Sequence, residues 1–405
     1  ENTERFQVAI ERDTIDLQQQ AAKLSYETVE VDGRKLKIAI LDLPSFYGDQ
    51  DPNKRKGSRD VARLLLQARE SKADGLVLDL SRNGGGLLED AVAISGFFIG
   101  EGGIVAVKES DEKEGRVMPD PDDGILFTGP MVILVSRWSA SASEILAGAL
   151  KDYGRALIVG DDHTFGKGTV QSFVHQPGRL GAIKVTTALF FRPGGASTQH
   201  EGVAADIVLP SVFATDDLGE RYTPYSLKGQ RITPFLSKPT RIKADRTALR
   251  PSWPQLDETV LSELAARSAA RVAEDEDFGE ISEQLAKLAE EDDVIHLAEL
   301  IREREEAEAD GTLDKSEDKS EGKSEGEAET TEAPTEAGQP ETDAIESGSD
   351  ESGANAGDED EEEPTPQRKE ALRILADLVE LQGTARASWH AQQSASRSES
   401  PSSRP

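Results

Sequence analysis

Gly75-Leu-Val-Leu-Asp-Leu-Ser-Arg-Asn-Gly-Gly-Gly-Leu-Leu-Glu-Asp-Ala-Val-Ala-Ile-Ser-Gly-Phe-Phe98 is the stretch on which the fold turns. Its first six residues are an apolar run of strand length, three glycines follow, and residues 87–98 read as an apolar helix. A short apolar strand passing through a glycine turn into a helix is the unit of a parallel sheet covered on both faces. The same alternation extends outward. Residues 36–43 form a strand, Val61, Leu64, Leu65 and Ala68 recur at helical spacing, and residues 131–135, 156–159 and 183–191 are further strands. The fold class that follows is α/β (α+β), with strand–helix alternation in the core.

Towards the C-terminus the texture changes. Val260, Leu261 and Leu264, then Ile281, Leu285 and Leu288, then Leu297, Leu300 and Ile301 mark amphipathic helices. Residues 311–364 are dominated by Glu, Asp, Ser, Gly, Thr and Pro and hold too few bulky apolar groups to fold. Leu372, Leu375, Leu378 and Val379 outline one last amphipathic helix. The expected organisation is an end piece of another module at 1–20, where Phe6, Val8 and Ile10 alternate as in a strand, and a core at 21–215. A helical region follows at 216–310, then a disordered acidic linker at 311–365, an amphipathic helix at 366–383 and a disordered tail at 384–405.

Composition limits the function classes. The net charge of −32 argues against nucleic acid or anionic membrane as a partner, and residues 301–365 alone hold 25 Asp/Glu against 5 Lys/Arg. There is no cysteine, so no disulfide, thiol nucleophile or thiolate metal site. No segment has the roughly 20 apolar residues of a membrane helix.

Chemistry concentrates in Trp138-Ser-Ala-Ser-Ala-Ser-Glu144 and Thr164-Phe-Gly-Lys-Gly-Thr-Val-Gln171. Ser141 is a candidate nucleophile and needs a base, and a lysine kept neutral by burial serves as well as a histidine. Lys167 is the candidate base, and Gln171, four residues on in an extended segment, shares its face and is placed to orient the amine, the plain alternative being two solvated strand residues. Ser141 with Glu144 also fits a Ser-x-x-Glu capping box, a reading compatible with the first because a helix start offers N–H groups to an oxyanion. Gly160 to Lys167 resembles a phosphate-binding loop but has the wrong glycine spacing, and Gly168 stands where Ser or Thr would bind magnesium. His163 with Asp152 is the fallback for a Ser-His-Asp arrangement. The glycine triplet 84–86 is either a tight turn or a place where a substrate approaches backbone N–H groups.

Asp79-Leu-Ser-Arg-Asn-Gly-Gly-Gly86, Ser139-Ala-Ser-Ala-Ser-Glu-Ile145, Lys151-Asp-Tyr-Gly-Arg-Ala156, Thr164 to Gln171 and Phe190-Phe-Arg-Pro-Gly-Gly-Ala-Ser-Thr-Gln199 occur in order, and together they resemble the carboxyl-terminal processing proteases. The resemblance implies Ser141 as nucleophile, Lys167 as general base, Gln171 as the residue orienting it, and Asp152 in a supporting role. It implies an oxyanion hole from Gly85, Gly86 and Ala142, with no metal or cofactor. It further implies that residues 1–20 end a PDZ domain, that the protein is periplasmic, and that its partners are protein or peptide substrates with accessible C-termini, with an adaptor protein as a further partner. A catalytically inactive peptide-binding scaffold is the alternative. An extended substrate is expected to add to a sheet edge beside residues 185–191.

Overall fold

The computed structural model describes residues 21–290, apart from short stretches of which 49–54 is the longest, together with residues 302 and 363–398. The expected strand near the N-terminus and the acidic linker lie outside the described residues, except at the linker's last positions.

Six strands make the central sheet: β1 (Lys23–Val31), β2 (Arg34–Asp42), β3 (Gly75–Asp79), β6 (Met131–Val135), β7 (Leu157–Gly160) and β10 (Ile207–Val208), in the order β1-β2-β3-β6-β7-β10. Only the β1–β2 pair is antiparallel. Alternate residues of the apolar strands go to opposite faces, which is why the runs look continuous in sequence. Leu76, Leu78 and Leu80 pack with Ile133 and Ile158 under α1 (Gly57–Glu70), α2 (Leu88–Ile99) and α3 (Ala142–Asp152). Val77, Val132 and Val159 face the other way, onto α4 (Glu258–Glu274), α5 (Glu276–Glu290) and α6 (Pro366–Ser398). Because α6 lies against the sheet, Ala371, Ile374 and Leu375 are buried at 0 % exposure.

A second, antiparallel sheet has the order β5-β4-β9-β8, built from β4 (Gly103–Glu109), β5 (Arg116–Pro119), β8 (Thr169–His175) and β9 (Ala182–Phe191). Here the structure narrows the expected substrate edge, since within residues 185–191 β4 pairs only with 188–191. Leu189 of β9 pairs with Lys108 on one side and Thr169 on the other, and Phe190 and Phe191 pair with β4. Residues 188 and 189 therefore have both edges taken, and the open edge on this side of the sheet belongs to β8.

Three further differences have local causes. The sequence reading missed β1, whose residues are mostly exposed and so carry a diluted apolar pattern. Apart from a single 3-10 turn at Glu220–Tyr222, helices of the C-terminal region begin only at Glu258, after a hairpin of β11 (Arg241–Asp245) and β12 (Ala248–Pro251). The last helix continues past 383 to Ser398, through a stretch of mainly Ala, Ser, Gln and Arg that is free of proline and glycine.

Candidate active site

The serine segment is the link from β6 into α3. Ser141 is the N-cap of α3 and has φ 57° and ψ −110°, a left-handed conformation that a non-glycine residue adopts at a cost of about 1–3 kcal/mol. Such a strained strand-to-helix turn lifts a side chain clear of the sheet, as a nucleophile requires. Its neighbours are committed elsewhere. Ser139 Oγ donates to Leu80 O at 2.7 Å, Ser143 Oγ to Asn83 O at 2.8 Å, and Ser136 Oγ to Ser81 O. Three serines thus stitch this segment to the loop after β3, while Ser141 is only partly buried and faces a cleft.

That loop is shaped by its glycines. Gly85 (φ +108°) passes so close to the serine that a Cβ would stand 2.8 Å from Ala140 O and 2.9 Å from Ser141 Cβ. Gly86 (φ +145°) lies against Phe46, where a Cβ would come within 2.2 Å of the carbonyl oxygen. The Gly85 N–H donates to Asn83 Oδ1 at 2.8 Å. The N–H groups of Gly86 and Ala142 donate to no acceptor among the described residues.

Glu144 does more than cap a helix. The Ser141 hydroxyl makes no cap hydrogen bond of ordinary geometry, whereas the fully buried Glu144 carboxylate accepts the Ser141 N–H at 2.8 Å. The same carboxylate accepts Thr164 Oγ1–H at 2.6 Å, Gly166 N–H at 2.7 Å and Lys167 N–H at 2.9 Å. One side chain therefore holds the serine turn and the lysine loop together. Burial lifts its carboxyl to about 7, against the pull of the four donors. The sequence signal for this was the capping-box spacing, which locates only the first of the four bonds. The same geometry disposes of the phosphate-loop resemblance, since the Gly166 and Lys167 N–H groups already point at a carboxylate.

The lysine loop is also held from its far side. Gly168 N–H donates to Gln199 Oε1 at 2.9 Å, and His200 N–H to Gly166 O at 2.7 Å. A cleft of about 240 Å³ results, lined among others by Gly86, Ser141, Ala142, Lys167, Gln171 and Lys184. The structure thus brings Ser141, Lys167, Gln171, Gly86 and Ala142 to one concavity, with Gly85 directly behind the serine.

Asp152 does not line this cleft. It lies at the far end of α3, roughly 15 Å along the helix from Ser141, where it pairs with Arg192 Nε at 3.3 Å and accepts Gly194 N–H at 2.7 Å. Burial raises its carboxyl, opposed chiefly by the Arg192 charge. It anchors the turn that follows β9. His163 is likewise elsewhere: its Nδ1 meets the Thr164 carbonyl at 2.7 Å, and burial lowers its basicity. With His163 and Asp152 each bound to other groups, the Ser-His-Asp arrangement has no geometry. Among the described residues no group of His, Cys, Asp or Glu has the spacing to hold a metal ion, and no helix is long and apolar enough to cross a membrane.

Two family models match the chain: peptidase family S41 over residues 37–209, and the C-terminal domain of tail specific protease over residues 213–380. The tail-specific protease of Haemophilus influenzae is 40% identical over 220 residues, which are 53% of this chain and 30% of that protein. The carboxy-terminal-processing protease of Bartonella bacilliformis is 38% identical over 166 residues, 40% of this chain and 38% of that protein. Among solved structures, the photosystem II D1 C-terminal processing protease is 27% identical with a TM-score of 0.40, covering 48% of this chain and 53% of that one. The chain thus spans little more than a third, at most, of the length of these two curated relatives.

Proposed function

The chain carries a peptidase family S41 domain over residues 37–209, and from that premise we propose that it is a serine endopeptidase cleaving proteins at or near their C-termini. Lys167 takes the proton from Ser141 Oγ as the oxygen attacks the peptide carbonyl. The oxyanion that forms is met by the N–H groups of Gly86 and Ala142, the latter at the positive end of α3. Lys167 then returns the proton to the leaving amine, and water hydrolyses the acyl-enzyme. Gln171 orients the lysine amine. Gly85, its own N–H held by Asn83, contributes the absence of a side chain. Asp152 supports from a distance through the turn at Arg192–Gly194.

The observation that carries this reading is the common cleft of Ser141 and Lys167, with two undonated N–H groups beside the strained serine. An extended substrate fits along the open edge of β8, whose first residues line the same cleft. A periplasmic setting, and an adaptor protein delivering substrates, belong to the same proposal through the resemblance of the motifs.

The test is to incubate the chain with an unfolded protein bearing an apolar C-terminus and to follow fragments by mass spectrometry. Cleavage is expected from the wild type and from neither Ser141→Ala nor Lys167→Ala, with Gln171→Ala slower. Cleavage surviving in Ser141→Ala sinks the mechanism. No cleavage by any form, with substrate still bound, favours the inactive peptide-binding scaffold.

A further inference from the structure

β2 and β3 end side by side in a pair of carboxylates, Asp42 and Asp79, which stand opposite each other in the parallel register. Two like charges at neighbouring strand ends repel, and Asp79 is almost fully buried at 3 % exposure. The cation that joins them comes from the other end of the chain. Arg368, in the first turn of α6, places its guanidinium Nε 2.8 Å and one terminal nitrogen 2.7 Å from Asp79 Oδ2, and the same terminal nitrogen 3.1 Å from Asp42 Oδ2. The guanidinium thus forks across one carboxylate oxygen while reaching the second residue.

The other oxygen of Asp79 points into the glycine loop. Asp79 Oδ1 accepts the Ser81 N–H at 2.9 Å and the Ser81 hydroxyl at 2.6 Å. Ser81 O in turn accepts from Ser136, and Asn83, two residues on, accepts Gly85 N–H. Polar contacts therefore lead from α6 through Asp79 to Ser81, two residues before the Asn83 that holds Gly85 in the turn presenting Gly86. The carboxylate that closes the sheet is thus the one that also holds the first residue of this loop.

We propose that Arg368 is a positioning residue for the site: by holding Asp79 between Asp42 and Ser81, it fixes the turn that aims the Gly86 N–H into the cleft. The inference rests on the proposed peptidase activity for its kinetic part, and on geometry alone for the rest. Its consequence is that α6, 289 positions from Asp79 in sequence, sets the competence of a loop it does not line.

The experiment uses the full chain and compares Arg368→Met with Arg271→Met, which breaks the ion pairs to Glu370 and Asp377 between α4 and α6 without touching Asp42, Asp79 or Ser81. Two quantities are read: hydrolysis of a quenched peptide with an apolar C-terminus, and hydrogen exchange of the amides from Ser81 to Leu87. In Arg368→Met, kcat should fall by about 10²-fold, as expected of a small misplacement, while KM changes little. Exchange at residues 81–87 should quicken, and Arg271→Met should show neither effect. Arg368→Lys keeps the charge without the fork and should recover part of kcat; if Arg368→Met does not fold, this variant against wild type carries the comparison. Unchanged kcat in a folded Arg368 variant, or unaltered exchange at 81–87, overturns the proposal. Should the wild type cleave nothing, the peptidase reading fails by itself, and the exchange measurement still decides whether Arg368 holds the loop.

Discussion

The two sides of the cleft are built to different standards. On one side the serine turn and the glycine loop are tied by buried groups, with Asn83, Ser139, Ser143 and Glu144 all at 0 % exposure and hydrogen-bonded to one another's segments. On the other side Gln171 and Lys184 stand on the β8–β9 ribbon, which carries Phe173 at 66% and Leu180 at 79% exposure. A register irregularity between Val170 and Gln171 separates the ribbon from the part of β8 that packs on the core. In the proposed mechanism the N–H groups that meet the developing charge stand on this hydrogen-bonded side, and preorganised N–H groups cost no rearrangement at the moment of reaction. The ribbon has few packed neighbours to hold it and is free to adapt to an incoming chain. Lys167 bridges the two: its backbone N–H is tied to Glu144 on the buried side, while its side chain shares the cleft with Gln171.

The strongest way to break the contrast is Glu144→Ala. Four donors then lose their acceptor, each at about 1–3 kcal/mol when buried, so urea unfolding should show a loss of several such steps, and peptide cleavage should disappear. A variant that folds and cleaves normally would mean that Glu144 does not hold the two loops. Next is Gly85→Ala. Its φ of +108° and the 2.9 Å approach to Ser141 Cβ should cost about 1–3 kcal/mol and lower kcat more than it raises KM.

A pH series sharpens the same point. Glu144 is raised from 4.5 to about 7, so between those values the folded chain holds a proton that the unfolded chain releases. Stability should therefore fall as pH rises from 4.5 to about 7 and level off above. Activity should run the opposite way, because a proton on Glu144 sits on an oxygen that now accepts from its neighbours. Urea midpoints that stay flat across this window would contradict the assignment. The smallest effect is expected on the ribbon. Phe173→Ser should change stability by no more than about 0.5 kcal/mol and leave kcat intact while raising KM for long substrates. A fall in melting temperature comparable to that of Gly85→Ala would show the ribbon to be part of the core after all.

Much of this was legible in sequence, and the reason is locality. The apolar run in residues 75–80, helical spacing at Val61, Leu64, Leu65 and Ala68, and a glycine triplet between strand and helix report on contacts within a turn or a strand, and each of these elements appeared where its pattern lay. Ser141 and Lys167 stand out as candidates because a serine cluster at a helix start and a lysine between glycines are local patterns, and the structure lines one cleft with both. Tertiary structure alone decided which β-edge is open, because edge status depends on a neighbour strand rather than on the strand's own residues. It alone gathered four donors on Glu144, where a spacing of three residues had shown one. And it alone brought Arg368 to Asp79 across 289 positions, because a buried carboxylate takes its cation from whichever segment the closing of the sheet delivers, and no local pattern records that choice.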